Sequence, residues 1–472
     1  MTGWIGYHLN AVGTFAATNT NSFCRSDRRV VGLFPWGDVW EDFYGTLGVS
    51  FEQFCESFTG SWQFGYVAAL HSIGVHSVIY YSSTTVTEVM RVAHKPSGAT
   101  ICLIPAPSSY RKLHGRMRHP DHSMGYWGTI EALFGDVGSR RYLFEMARQA
   151  APYLATSLRR LRAELRREGC HALVCQDYEG PQFDKAAVLG RVMGLPVYAI
   201  FQGGVSEWNR IGRSVRPRTM KLASGFIIGP QAEIDRVTST YGIGPEKIHR
   251  IFNAVAEEFW VASDKDKARQ TLGVKPGTIL VVWHGRVQMR QKGLDILLDA
   301  WEQVAEQYGD QELCLMLMGS GPDSGALRER VDRLRRGNVV WIDEFVDDRS
   351  RIRQFLSAAD IYAFPSRREG LPVAPTEAMA QGLPVVAAKA SGVIDIFEDG
   401  ERSGGIVVER GKAGPFADAL QRLIRDASLR RALGLRAFDA AKRRFTAEAV
   451  GRQLAVALKL PVEQACRKSG PG

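Results

Sequence analysis

Two acidic residues eight positions apart, Glu369 and Glu377, bracket the segment Glu-Gly-Leu-Pro-Val-Ala-Pro-Thr-Glu. Carboxylates accept strong hydrogen bonds from hydroxyl groups, so such a pair suits a hydroxyl-rich ligand. Gly370 tolerates backbone angles that other residues resist, which lets the amides of Gly370 and Leu371 approach a ligand closely. Two cations lie upstream, Arg286 in His284-Gly285-Arg286 and Lys292 in Lys292-Gly293. A cation at a strand end and another at a helix start would flank one crevice. Because helix N-termini favour anions, that crevice would hold a diphosphate.

These residues need a scaffold that gathers them. In the second half of the chain, strand-like runs at 279–283, 312–318, 339–342, 361–364, 385–388 and 405–408 alternate with helical patterns at 293–307, 350–359, 375–381, 413–432 and 434–444. In the first half, strand-like runs fall at 29–34, 75–81, 100–104, 171–175 and 196–201. A glycine loop at 60–65 leads into a helix to about residue 73. A single long helix is expected over 142–168, from Leu154, Leu158, Leu161 and Leu165 at spacings of three and four. Such alternation implies parallel sheets with helices on their faces. Ligands bind beyond the carboxyl ends of such strands, where Arg286, Lys292 and Glu369 all fall. Residues 1–28 read as an irregular arm. The aromatic-rich segment 36–66 is compatible with a flat or apolar ligand and equally with a buried core.

The chain has 472 residues, 45% apolar and 23% charged, as in an ordinary globular protein of two or three domains. No apolar run approaches the length of a membrane-spanning helix. The first 20 residues lack Lys and Arg, which argues against a secretory signal. Seven scattered Cys with no Cys-x-x-Cys argue against a disulfide framework or zinc knuckle, so a reducing cytoplasm is expected. The balance of 60 basic against 50 acidic residues, +10, attracts anions. Nucleic acid, an anionic membrane surface and a phosphorylated small molecule all satisfy it.

The segment from Glu369 through Glu377 to Gly382-Leu383-Pro384-Val385-Val386 resembles the Glu-x7-Glu signature of retaining glycosyltransferases of family 4 (group 1). Gly285-Arg286…Lys292-Gly293 resembles that family's donor-phosphate motif. Lys247-Ile248…Asn253-Ala254-Val255 resembles its interdomain Asn-Gly-Val segment, with Ala254 in place of Gly. The match is strong over roughly 215–445 and topological over 1–214. The resemblance implies the GT-B fold, two Rossmann-like parallel-sheet domains facing a cleft. Residues 1–252 would form the acceptor domain, with a C-terminal helix at about 446–465 packing back onto it, and 253–445 the donor domain. It implies transfer of a hexosyl group from a UDP-, GDP- or similar nucleotide-sugar, with retained anomeric configuration. The acceptor would be a small molecule, a glycan or a lipid-linked glycan. No nucleic acid, cofactor or metal is implied, and membrane contact is not expected.

By the same resemblance, Arg286 and Lys292 grip the diphosphate, Glu369 contacts the donor sugar and Glu377 holds the ribose. Gly370 and Leu371 offer backbone amides, and Gly60-Ser61 approach the phosphate from the first domain. Where the family carries a His beside the sugar, this chain reads Phe201-Gln202-Gly203-Gly204. A later Gly-x-x-Glu reads Gly392-Val393-Ile394-Asp395, with a shorter acid. Asp177 and Glu179 are expected to face the cleft and bind an acceptor hydroxyl or amine, near Gln202 and Gly203. Asp264-Lys265-Asp266 lies before a helix with no strand leading into it and reads as surface. His114, His119 and His122 share no zinc spacing. With Arg111, Lys112, Arg116 and Arg118 they read as an acceptor entrance. Arg159, Arg160, Arg162, Arg166 and Arg167 read as a solvated face, with a face for an anionic membrane surface as the alternative. Another GT-B enzyme, such as a sugar phosphorylase or nucleotide-sugar epimerase, and a non-catalytic nucleotide-sugar binder are the alternatives.

Overall fold

The computed structural model describes residues 29–45, 48–60, 62–116, 130–203, 210–261, 263–308, 313–334 and 338–460. The strands of the first half are β1 Arg29–Phe34, β2 Val75–Ser83, β3 Met90–Ala93, β4 Thr100–Pro105, β5 Cys170–Gln176, β6 Val197–Ile200, β7 Gly225–Ile227 and β8 Ile248–His249. Among the described residues they form one sheet in the order β3-β4-β2-β1-β5-β6-β7-β8. Only the β3/β4 pair at its edge is antiparallel. The strands of the second half are β9 Ile279–His284, β10 Leu313–Met318, β11 Asn338–Ile342, β12 Ile361–Phe364, β13 Val385–Ala388 and β14 Gly405–Val408. They form a parallel sheet in the order β11-β10-β9-β12-β13-β14.

Both sheets are covered on two faces, so their strands read as continuous apolar runs rather than alternating ones. β9 shows how the period of two still divides them. Leu280 and Val282 join one core, with Phe355, Ala378 and Met379. Val281 and Trp283 join the other, with Leu297, Trp301 and Leu420. In each sheet the chain winds outward from a central pair of strands, β1/β5 in the first and β9/β12 in the second. The connections leave in opposite directions there, which opens a crevice at the carboxyl ends.

Two expected elements differ. The helix expected over 142–168 is two helices, Arg141–Leu154 and Leu158–Arg167. Between them Ser157 is extended. Thr156 is drawn into a buried polar cluster, where its hydroxyl meets Ser82, Gln182 and Lys185. A continuous helix would carry that hydroxyl out of the cluster. The glycine loop expected at 60–65 ends early, because Gly65 lies inside the helix Trp62–His71. A Cβ there would stand 2.6 Å from the carbonyl oxygen of Ala254, so the glycine serves a helix crossing rather than a loop.

The last described helix, Ala447–Ala457, lies on the first half. Its Val450, Leu454 and Ala457 share a core with Val67 and Leu70. Ser72 Oγ donates to the Ala447 carbonyl at 3.2 Å. Among the described residues no helix is long and apolar enough to cross a membrane.

Candidate functional site

The second sheet's crevice forms where β9 and β12 end side by side. Three close approaches shape it. Gly319, with φ +137, passes beneath the carbonyl of Gly285, where a side chain would collide. Gly293, with φ +68, caps the helix Leu294–Ala305 and abuts the Pro365 carbonyl. Gly370 packs against Gly203 of the first half, whose own φ is +102. A Cβ on Gly203 would sit 2.7 Å from the Gly370 Cα. At each point glycine lets two backbones meet.

The Gly293 contact brings Lys292 to the loop after β12. Lys292 Nζ donates to both carboxylate oxygens of Glu369, at 2.9 and 3.1 Å. Their side chains are 22% and 8% exposed, so the lysine is the more accessible member of the pair. Arg367 fastens the same two segments. Its guanidinium forks onto Asp295 at 2.6 and 2.7 Å and also donates to the Arg290 carbonyl. Arg286 is exposed and makes no ion pair among the described residues. Lys292 and Glu369 therefore arrive neutralised by each other, while Arg286 remains an open positive charge.

Glu377 lies in the first turn of the helix Ala374–Ala380, on the face below β9. His284, the last residue of β9, falls on the side of Leu280 and Val282. Its Nε2 lies 3.0 Å from Glu377 Oε2. The imidazole is buried and packs edge-on to Tyr362, with centroids 5.5 Å apart. Its Nδ1 has no partner among the described residues. His284 received no role from the sequence, although it stands beside Arg286. Its position on the strand's even-numbered face was the signal that could have found it.

From the first half, the end of β6 reaches the crevice. Gln202 and Asn253 exchange two side-chain hydrogen bonds, each 2.9 Å. Asp177, with φ +53, accepts the Gln202 backbone N–H on its Oδ1 at 3.1 Å. Leu371 is buried toward Gly229, whose Cβ position lies 2.5 Å from Leu371 Cδ1. Gly60 lies near Asp347, where an added Cβ would stand 3.8 Å from the Asp347 Cβ. The neighbouring Thr59 donates to the Asp347 carbonyl at 3.4 Å and accepts from Arg349 at 2.5 Å. Arg349 is a second residue the sequence did not single out. Burial lowers its pKa, opposed by the charges of Glu258 and Glu377. Ser61 lies outside the described residues, as do His119 and His122.

One expectation about the first half is corrected. Glu179 does not face the cleft. It is 8% exposed and bound by both arms of Arg236, at 3.0 and 2.9 Å, and by the Tyr241 hydroxyl. A buried carboxylate already bound by a bidentate cation and a hydroxyl is a framework group, since moving it would break those bonds. Asp395 accepts from the Gln231 backbone and from Arg250, both at 2.9 Å, which ties the two halves together. Asp264 caps the helix Lys265–Thr271, accepting from the N–H groups of Asp266 and Lys267. His114 leans on Asp42 at 2.8 Å. No group of three or more metal-ligating side chains gathers among the described residues.

Comparison with known proteins bears on this geometry. Residues 278–426 match the family described as Glycosyl transferases group 1. A D-inositol 3-phosphate glycosyltransferase of Corynebacterium kroppenstedtii is 32% identical over 228 residues, 47% of this chain and 50% of that protein. One from Catenulispora acidiphila is 31% identical over 240 residues, 50% of this chain and 57% of that protein. The chain thus spans about half the length of the curated relatives it matches. Among solved structures, Anabaena HepE in complex with UDP aligns with a TM-score of 0.62 at 18% identity, over 91% of this chain and 99% of that one. Sucrose-phosphate synthase from Thermosynechococcus elongatus aligns at 0.61 and 17% identity, over 92% of this chain and 98% of that one. The crevice at the ends of β9 and β12 lies within the matched segment, and residues 278–426 are a group 1 glycosyltransferase domain set in a two-domain GT-B fold.

Proposed function

We propose that the protein transfers a hexosyl group from a nucleotide-sugar to an acceptor, with retention of anomeric configuration. The observation that carries this reading is the Lys292–Glu369 pair beside the open Arg286, next to the His284–Glu377 pair in the same crevice. Arg286 and Lys292 take the donor diphosphate. Lys292 then exchanges Glu369 for phosphate oxygens, and Glu369 is released toward the sugar. Glu377, oriented by His284, accepts hydrogen bonds from the ribose hydroxyls. The amides of Gly370 and Leu371 contact sugar or phosphate. Gly60 closes over the phosphate from residues 1–252, which take the acceptor, while 253–445 take the donor.

In the transfer step the bond from the anomeric carbon to the phosphate oxygen breaks. A bond to the acceptor oxygen forms on the same face. The acceptor proton passes to the departing phosphate oxygen. Positive charge develops on the sugar, as in an oxocarbenium ion. Stabilising the growing negative charge on the diphosphate is the main catalytic contribution. Arg286 and Lys292 supply it, so the reading expects turnover without a divalent metal. Asp177, Gln202 and Gly203 line the acceptor side. The acceptor is a small molecule, glycan or lipid-linked glycan, and the setting is a reducing cytoplasm, in keeping with the free thiols of Cys55, Cys102, Cys170, Cys175 and Cys314.

UDP-sugars are the first donors to test, because structural relatives hold UDP and UDP-glucose. Thermal-shift measurements with nucleoside diphosphates and UDP-, GDP- and related sugars test the reading. A ligand at 100 times its Kd adds about 2.7 kcal/mol of stability. Turnover in excess EDTA and NMR of the product's anomeric centre test metal use and stereochemistry. Product analysis with and without inorganic phosphate separates transfer from phosphorolysis. Absence of any shift across the panel would defeat the proposal.

A further inference from the structure

We infer that Asn253 is a positioning residue for transfer, acting through Gln202; the inference rests on the function proposed above. Gln202 and Gly203 are the residues of the first half that abut Gly370 at the crevice. A Cβ on Gly370 would sit 2.8 Å from the Gln202 carbonyl oxygen, and Gly370 follows Glu369 directly. A glutamine side chain at a strand end has several rotamers and two amide orientations, so it needs support to present one donor in one place. Asn253 supplies that support. Gln202 Nε2 donates to Asn253 Oδ1, and Asn253 Nδ2 donates to Gln202 Oε1, each at 2.9 Å.

The reciprocal pair has a defined remainder. A primary amide carries two N–H groups and two acceptor lone pairs. The pair consumes one of each, leaving Gln202 one N–H and one lone pair for a ligand. Unlike a histidine, this amide offers both at any pH in the working range. Asn253 is itself immobile. It is 4% exposed, between the buried Phe252 and Ala254, and two residues on the Val255 N–H donates to the Phe445 carbonyl at 2.8 Å. The Gln202 backbone is held separately by Asp177. Backbone and side chain of one cleft residue are thus fixed from two directions, and one of the supports is the segment that crosses between the two sheets.

The test uses the full chain, its best donor from the panel, and UDP alone as a probe that lacks the sugar. Asn253→Ala and Gln202→Ala should each lower kcat by about 10–10²-fold, the scale of a misplaced contact. UDP affinity, read by calorimetry, should stay unchanged. The double variant should be no slower than Gln202→Ala, because Asn253 acts only through that side chain. Asn253→Asp gives the sharper reading and guards against an unfolded alanine variant. An ionised Asp cannot donate to Gln202 Oε1, whereas a protonated one can. Burial at this 4% exposed position raises the introduced carboxyl's pKa, so its kcat relative to the parent protein should recover as pH falls from about 7 to about 5. Additive losses, an equal loss of UDP affinity, or an Asn253→Asp profile parallel to the parent's would overturn the inference. Failure of the parent protein to bind UDP or any nucleotide-sugar would instead strike the proposed function.

Discussion

In the crevice of the second sheet, Glu369 and Glu377 are each held by a single basic side chain, Lys292 and His284, and Glu377 remains 16% exposed. Behind the first sheet the acids are held by several partners at once. Asp184, 2% exposed, receives Arg216, Thr219 and Tyr153. Glu179 receives Arg236 twice and Tyr241. A carboxylate held by one side chain can exchange that partner for a ligand's phosphate or hydroxyl at modest cost. A buried network cannot, because removing one member strands a desolvated charge. The same residue types therefore serve the ligand in one half and the framework in the other.

The largest expected effect tests the framework side. Asp184→Ala leaves Arg216 buried without its carboxylate and should destabilise the protein by about 3–5 kcal/mol in denaturant unfolding. A loss below about 1 kcal/mol would show that the network is as loose as the crevice.

The crevice should respond in rate rather than stability. Arg286→Ala and Lys292→Ala should each slow transfer by about 10²–10³-fold while the melting temperature hardly moves. Unchanged turnover in both would remove the diphosphate assignment.

Glu369 and Glu377 should then differ from each other in kind. Glu369→Gln keeps the shape but removes the charge beside the developing cation, so kcat should fall by roughly 10²-fold. Glu377→Ala removes ground-state and transition-state binding alike and should raise the donor KM by roughly 10–10²-fold at similar kcat. Steady-state kinetics with the best donor measures both, and the reverse pattern would exchange the two roles.

The smallest effect lies in the framework again. Burial lowers Lys185 to about 8. The folded state sheds that proton first, so between about pH 8 and the unfolded value near 10.4 the unfolded chain binds more protons. Stability contributed by Lys185 should therefore rise with pH across that window. Lys185→Met should flatten the rise in melting temperature, and an identical slope in the variant would place Lys185 in water rather than in the buried cluster.

Much of the scaffold was legible locally. The runs Ile361–Phe364 and Val385–Ala388 coincide with β12 and β13, because short β-branched and apolar segments closed by Pro or Gly announce buried parallel strands. The helices at 142–168 read as one because the leucine spacing continues across Ala155–Thr156–Ser157, and periodicity carries no record of the hydroxyl cluster that draws Thr156 inward. Glu179 misled for a related reason. Its place after a strand suggested the cleft, while its partner Arg236 stands 57 residues away.

By itself the sequence determined that Glu369 precedes a short helix, that Glu377 falls in its first turn, and that Arg286 and Lys292 follow one strand. These are matters of chain direction, glycine placement and local periodicity. Only the tertiary structure decided which charge meets which. Lys292 reaches Glu369 across 77 positions, His284 reaches Glu377 across 93, and Gln202 reaches Asn253 across 51. Those meetings depend on β9 lying beside β12 and on β6 ending against the crossing segment. Strand order is set by the packing of whole sheets and helices, which no local pattern encodes, and the pairing of charges follows from it.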